Sequence, residues 1–214
     1  MAYFDVRKGE EFYAYARSKN VVDVQNLPPV DFYSENGSLK VIDRKFDLVF
    51  SSHCIEHTYD IVGHVNDVEG ILNEGGVYCL IVPDKRYCFD HFRSVSSLGD
   101  IIGRACDKNT EYHSLKVFVD SLVRTHNDSA RHWNRDNGVA PSPSPEVILQ
   151  KIDEWKTMKG KNPGPHAWVF TDESFSENFS SLHAAGITKL TPVRVYNTPR
   201  NSNGFCVVMK RAVL

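Results

Sequence analysis

The sequence predicts an α/β domain in which strands and helices alternate around a mostly parallel sheet, with a helical lobe inserted after one of the core strands. Three observations carry this expectation. Short β-rich runs alternate with helical periodicity at both ends of the chain. The run FDLVFS, Phe46 to Ser51, is almost continuously apolar, as in a strand covered on both faces. Between Arg86 and Ala167 the rhythm breaks for roughly 80 residues, too long for an ordinary connection. A chain of 214 residues is long enough for one such domain with its own core. We therefore expect a single domain over 1–214, with 87–165 as an inserted cap or substrate lobe.

Taken in order, Ala2 to Val6 reads as a short strand, Gly9 to Ser18 as a helix with Phe12, Tyr15 and Ala16 inward, and Asn20 to Val24 as a second strand. After FDLVFS, residues Ile61, Val65, Val68 and Leu72 fall on one helical stripe within Asp60 to Asn73, which Gly75 and Gly76 end. Val77 to Val82 is then a buried strand stopped by Pro83. Within the insertion, helices are expected at Leu98 to Cys106, Leu115 to Arg124 and Pro145 to Lys156. The last has Ser144 as N-cap, Pro145 at the first helical position, and Ile148, Ile152 and Trp155 on one face. Thr171 opens a helix with Phe175, Phe179 and Leu182 on one face, ending at Gly186. Strands at about Leu190 to Tyr196 and Gly204 to Lys210 complete the chain.

Composition narrows the function classes. With 41% hydrophobic and 24% charged residues the chain is that of a soluble globular protein, and no apolar run approaches the roughly 20 residues of a membrane helix. The N-terminus has no stretch of signal-peptide character, so a cytoplasmic location is expected. Net charge is −2 and the basic residues are scattered, which makes nucleic acid an improbable partner. Five cysteines, odd in number and without a CxxC pair, point to buried reduced thiols rather than disulfides or a thiolate zinc site.

The order VVDVQNLP, FDLVFSSHCIEH, an amphipathic helix, then LNEGGVYCLIVPD resembles the central part of class I, Rossmann-like S-adenosylmethionine-dependent methyltransferases of the small-molecule-modifying kind. Asp23, Leu27 and Pro28 match the family's first element, Phe46 to Val49 with Glu56 and His57 the second, and Leu72, Gly75 and Gly76 the third. The likeness covers about residues 2 to 85 well and 166 to 212 more loosely. It implies methyl transfer from S-adenosylmethionine to a small-molecule or glycan acceptor. Cofactor contacts are then expected at Asp5 for the ribose hydroxyls, at Asp23 and Val24 for the adenine, and at Ser51, Ser52 and His53 beside the methionine portion. All are placed at strand ends, where ligands bind in sheets of this kind. His57, one turn beyond His53, is the candidate general base.

His91, Arg93, His126, Asn127, His132 and Trp133 of the insertion are the candidate substrate-binding groups, since aromatic, amide and imidazole side chains suit a sugar-like acceptor. Asp90, His166 and Trp168 belong to the same polar set. His53, Glu56 and His57 also spell HxxEH, the zinc signature of inverzincin peptidases. Because His53 directly follows an apolar strand, the pair is expected to straddle a strand-to-helix turn, and no metal is expected on it.

The family opens with a strand and a G-x-G-x-G turn, for which this chain has no counterpart. The reading is therefore of an N-terminally truncated sheet lacking its first strand, repaired by direct edge pairing, by a homo-oligomer or by a strand-donating partner. Weak or undetectable binding of S-adenosylhomocysteine is the corresponding expectation. The competing class is a degenerate relative that binds a ligand or partner without transferring methyl groups.

Overall fold

A computed structural model describes residues 1–19, 24–107, 113–158 and 165–212. The chain, read from its sequence as one domain, divides into two compact units, Met1–Lys45 and Phe46–Leu214, each described by itself.

In the first unit β1 (Phe4–Asp5) pairs in parallel with β2 (Phe32–Tyr33), and α1 (Glu10–Ser18) lies between them in sequence. Ala16 is buried as expected, but Tyr15 is 43% exposed. Its ring is instead covered by the Arg7 guanidinium, 3.6 Å from the ring centroid. The expected strand Asn20 to Val24 lies mostly outside the described residues. Its last member, Val24, opens a 3₁₀ turn, Val24–Asn26, in place of a strand end.

The second unit is built on a mixed four-stranded sheet in the order β3 (Phe46–Ser52), β4 (Leu72–Pro83), β6 (Gly204–Arg211), β5 (Leu190–Tyr196). Only β3 and β4 run parallel; β6 is antiparallel to both β4 and β5. The expected mostly parallel sheet thus has one parallel pairing among its three. The chain passes from β3 to β4 through α2 (Ile61–Gly70), capped by Asp60, whose carboxylate accepts the Gly63 N–H at 2.9 Å. Leu72, assigned from the sequence to the helical stripe, is buried as the first residue of β4. Gly75, at φ 74°, lies within the irregular start of that strand, where the register shifts between Phe46 and Leu48.

One face of the sheet holds the core. Tyr78, Leu80 and Val82 of β4 and Phe205, Val207 and Met209 of β6 are fully buried there. They are covered by Val65 and Val68 of α2 and by Phe175, Phe179 and Leu182 of α7 (Asp172–Ala184). Thr171 starts α7 with a capping box to Ser174. The other face is open at β3, where Leu48 and Phe50 are 55% and 60% exposed. This corrects the expectation of a strand covered on both sides. Both packed helices cover the Tyr78 face, and within this unit β3 is an edge strand, which leaves the alternate side chains without a layer above them.

The insertion carries α3 (Leu98–Cys106), α4 (Leu115–Asp120), a 3₁₀ turn at Ser121–Val123, α5 (Ser129–Trp133) and α6 (Pro145–Met158). The short α5 has no counterpart in the sequence reading. All five cysteines are free, but only Cys88 is buried.

Candidate functional site

Because β3 and β4 are parallel, their C-terminal ends open on the same edge of the sheet, and the chain after each end carries the polar residues. After Ser52, His53 adopts a left-handed backbone at φ 49° while its N–H still bonds the Ile81 carbonyl at 3.0 Å. A non-glycine residue in this region is uncommon and is held here by that ladder bond. A 3₁₀ turn, Ile55–His57, follows. Strand, left-handed residue and 3₁₀ turn lead from β3 toward α2, in agreement with the expected strand-to-helix turn, and His53 and His57 do not share a helix.

The turn buries Glu56 to 1% exposure. Its carbonyl accepts the Ala167 and Trp168 N–H groups at 2.7 and 3.2 Å, and a parallel bridge joins Asp84, just after β4, to Phe170. These bonds lay residues 166 to 170 along the strand ends and deliver His166. Glu56 Oε1 is then 3.8 Å from His53 Nδ1, 3.8 Å from His57 Nε2 and 3.9 Å from His166 Nε2, and neither carboxyl oxygen has a hydrogen-bond partner among the described residues. Burial, opposed by the residue's own backbone N–H dipole and reinforced by the charge of Asp90, pushes the Glu56 carboxyl up to about 8, so it is mostly protonated at neutral pH.

Behind His166 lies Asp90, equally buried. It meets His166 Nδ1 at 2.6 Å and accepts from the Arg93 guanidinium at 2.8 Å. Burial alone would raise the Asp90 carboxyl, but the His166 hydrogen bond and the Arg93 charge hold it below its ordinary value. His57 is driven down to about 4 by burial first and then by the neighbouring His166 and Arg124. It is neutral at pH 7, the form in which an imidazole can accept a proton or a metal ion. Among the described residues, Glu56, His57 and His166 are the group whose donor atoms could hold a metal ion, all lying within 4.8 Å of one another.

The remaining sequence candidates are dispersed. Asp5 ends β1, where its carboxylate accepts the Arg7 N–H at 2.7 Å and faces the Arg7 guanidinium at 3.7 Å. Asp23 lies outside the described residues. Ser51 points into the helix-covered face and shares a 2.8 Å hydrogen bond with the Tyr78 hydroxyl, while Ser52 is exposed.

The lobe residues are mostly occupied by internal bonds. His91 Nδ1 meets the Arg86 carbonyl at 3.0 Å, His126 Nε2 the Asp136 carbonyl at 2.9 Å, and the Asn127 amide oxygen accepts the Phe89 N–H at 3.2 Å. His132 is buried between Asn137 and the His126 carbonyl, and Trp133 donates to the Ser202 carbonyl at 2.9 Å while stacking on Tyr87. All six candidates therefore make internal hydrogen bonds, Arg93 to Asp90 among them. Arg93, bound to Asp90, also lines a cleft with Tyr59, Arg104, His113, Lys116 and Trp168. Sequence reasoning had each of Glu56, Asp90 and His166 in view but nothing to bring them together, since 76 residues separate Asp90 from His166.

Residues 3–80 match the model of a family described as methyltransferase domain. No curated protein matches the chain. Two solved structures resemble it over nearly its whole length. A putative zinc-dependent alcohol dehydrogenase from Rhodobacter sphaeroides is 14% identical with a TM-score of 0.48, over 98% of this chain and 74% of that one. An S-adenosylmethionine-dependent methyltransferase from Clostridium acetobutylicum ATCC 824 is 12% identical with a TM-score of 0.46, over 100% of this chain and 76% of that one. Likenesses this distant carry no functional argument. No helix among the described residues is long and apolar enough to cross a membrane.

Proposed function

We propose that this protein transfers a methyl group from S-adenosylmethionine to a small-molecule or sugar-like acceptor. The observation that carries the reading is the match of residues 3–80 to a methyltransferase domain. The strand-end edge after β3 and β4, with its buried acid and histidines, is where an open α/β sheet places a ligand, and it supports the same reading. Acceptor entry is assigned to the cleft beside Arg93, whose wall combines Tyr59 and Trp168 with Arg104 and Lys116. Cofactor contacts in this proposal remain those read from the sequence, with Asp5 at the ribose and Asp23 at the adenine.

Calorimetric titration with S-adenosylhomocysteine tests it. Weak but saturable binding is expected, weakened further by about 1–3 kcal/mol in Asp5→Ala and in Asp23→Ala through loss of a hydrogen bond to a charged group. Unchanged affinity in both variants, with the fold intact, would sink the placement. A second reading is a relative that binds its ligand without transferring methyl groups, and the internally bonded lobe histidines favour it. Cofactor binding with no transfer of labelled methyl to any of a panel of sugars and hydroxylated small molecules would select that reading.

A further inference from the structure

Among the described residues, Glu56 is buried with both carboxyl oxygens unpartnered. Native structures rarely leave such groups unsatisfied, and an ion is one of the few things that accounts for both oxygens at once. We propose that Glu56, His57 and His166 form a site for one divalent transition metal of the zinc class, with Asp90 as the positioning residue that orients His166.

The donor types are right, since two imidazoles and one carboxylate, leaving a fourth position open, make up a catalytic-type zinc set. The spacing is close to right. Donor atoms around a tetrahedral zinc lie roughly 3.3–3.5 Å apart. Here Glu56 Oε1 is 3.8 Å from His57 Nε2 and 3.9 Å from His166 Nε2, and the whole set lies within 4.8 Å. The widest pair is up to about 1.4 Å beyond that spacing and has to draw together when an ion binds.

The outer layer is also present. Metal-bound imidazoles usually give their second ring N–H to a carboxylate, which fixes the tautomer and aims the free lone pair at the ion. His166 Nδ1 is 2.6 Å from Asp90 Oδ2, so Nε2 is the nitrogen left facing Glu56. Asp90 is itself held by Arg93 at 2.8 Å in an ion pair whose two side chains are at most 3% exposed. Access is open on one side, where His57 and His53 are 36% and 41% exposed, so an ion and a fourth oxygen ligand can enter.

This is a different site from the one HxxEH spells. There both histidines of the motif would ligate from one helix. Here the motif is broken by the left-handed His53, and the second imidazole comes from His166, more than a hundred residues away. His53 stands outside the ligand set, with its Nε2 against Gly204.

The test uses the full chain, stripped with chelator and titrated with zinc chloride by calorimetry, and with cobalt(II) followed by its visible absorption. One equivalent of each ion is expected, with the ligand-field spectrum of a four- or five-coordinate site and a zinc-dependent rise in melting temperature. Asp90→Asn should weaken binding by roughly 10- to 100-fold. His57→Ala, His166→Ala and Glu56→Gln should each cost more, and His53→Ala should leave affinity unchanged. Glu56→Gln keeps the side-chain shape, so loss of the zinc-dependent melting shift in that variant supports the site even if an alanine variant fails to fold. Absence of a stoichiometric ion in the wild-type chain overturns the proposal. So does binding that is lost in His53→Ala but kept in His166→Ala, which would restore the sequence motif as the site.

Discussion

Asp84 and Glu56 stand just beyond the C-terminal ends of neighbouring parallel strands, both essentially without solvent exposure, yet their surroundings are opposite. Asp84 accepts the Arg86 N–H at 2.9 Å, a forked contact from the Arg86 guanidinium, and the Thr198 hydroxyl at 2.7 Å. The same guanidinium reaches Asp172 at the start of α7. Among the described residues Glu56 has no hydrogen bond to its carboxyl, and three imidazoles stand just beyond hydrogen-bond reach. A buried charge with partners on every side ties elements together. One without partners gives up its charge, or waits for a ligand that restores it.

The largest expected effect breaks the partnered side of this comparison. Asp84→Ala leaves Thr198 without its acceptor and Arg86 with Asp172 as its remaining close partner, and should lower stability by about 3 kcal/mol in urea denaturation. A loss under about 1 kcal/mol would place the pair with ordinary surface salt bridges.

The unpartnered side is sharpened by pH. Glu56 has a folded value of about 8, well above its unfolded one, so the proton it holds stabilises the fold in acid. That stability is fully present below the unfolded value and is lost as pH rises toward 8. The metal-free wild type should therefore lose on the order of 2–3 kcal/mol relative to Glu56→Gln between about pH 5 and pH 8. Parallel stability curves for the two proteins over that window would show that the carboxyl is solvated after all.

The histidines act in the opposite direction. His57 and His113 are both lowered to about 4, each by burial first, with neighbouring positive charge adding to it. A depressed folded value gives stability that is present above the unfolded value and lost as pH falls from about 6.5 toward 4. His113→Gln should flatten that acid limb by on the order of 1 kcal/mol in thermal melts. An unchanged limb would mean that His113 titrates normally. The smallest effect serves as a reference without a titrating group. Thr171→Ala removes the N-cap of α7 and should cost about 1 kcal/mol, equally at every pH.

Much of the second unit's framework was legible because local signals and the tertiary fold agree there. The strands Phe46–Ser52 and Leu190–Tyr196, the helix started by Thr171, and α3 and α6 in the insertion fall close to where periodicity and caps put them. The misses have a common origin. Leu72 continues a helical stripe in the sequence but pairs with Phe46 as strand, because α2 ends at Gly70 with Ile71 as its C-cap and the chain is already in the ladder at Leu72. Leu48 and Phe50 look like core residues and are exposed, because apolar character says nothing about whether a helix lies above.

The sequence by itself determined the alternation of strands and helices, the caps, the boundary at His53 and the kinds of polar residue that follow each strand, since all of these depend on neighbours a few positions away. Only the tertiary structure decided which of those polar residues meet. It placed β6 between β4 and β5, tied the lobe histidines into their own hydrogen bonds, and laid His166 against Glu56 through backbone bonds at Ala167, Trp168 and Phe170. The reason is physical: a site assembled from segments a hundred residues apart is fixed by sheet order and long-range pairing, and neither leaves a periodic trace in the chain.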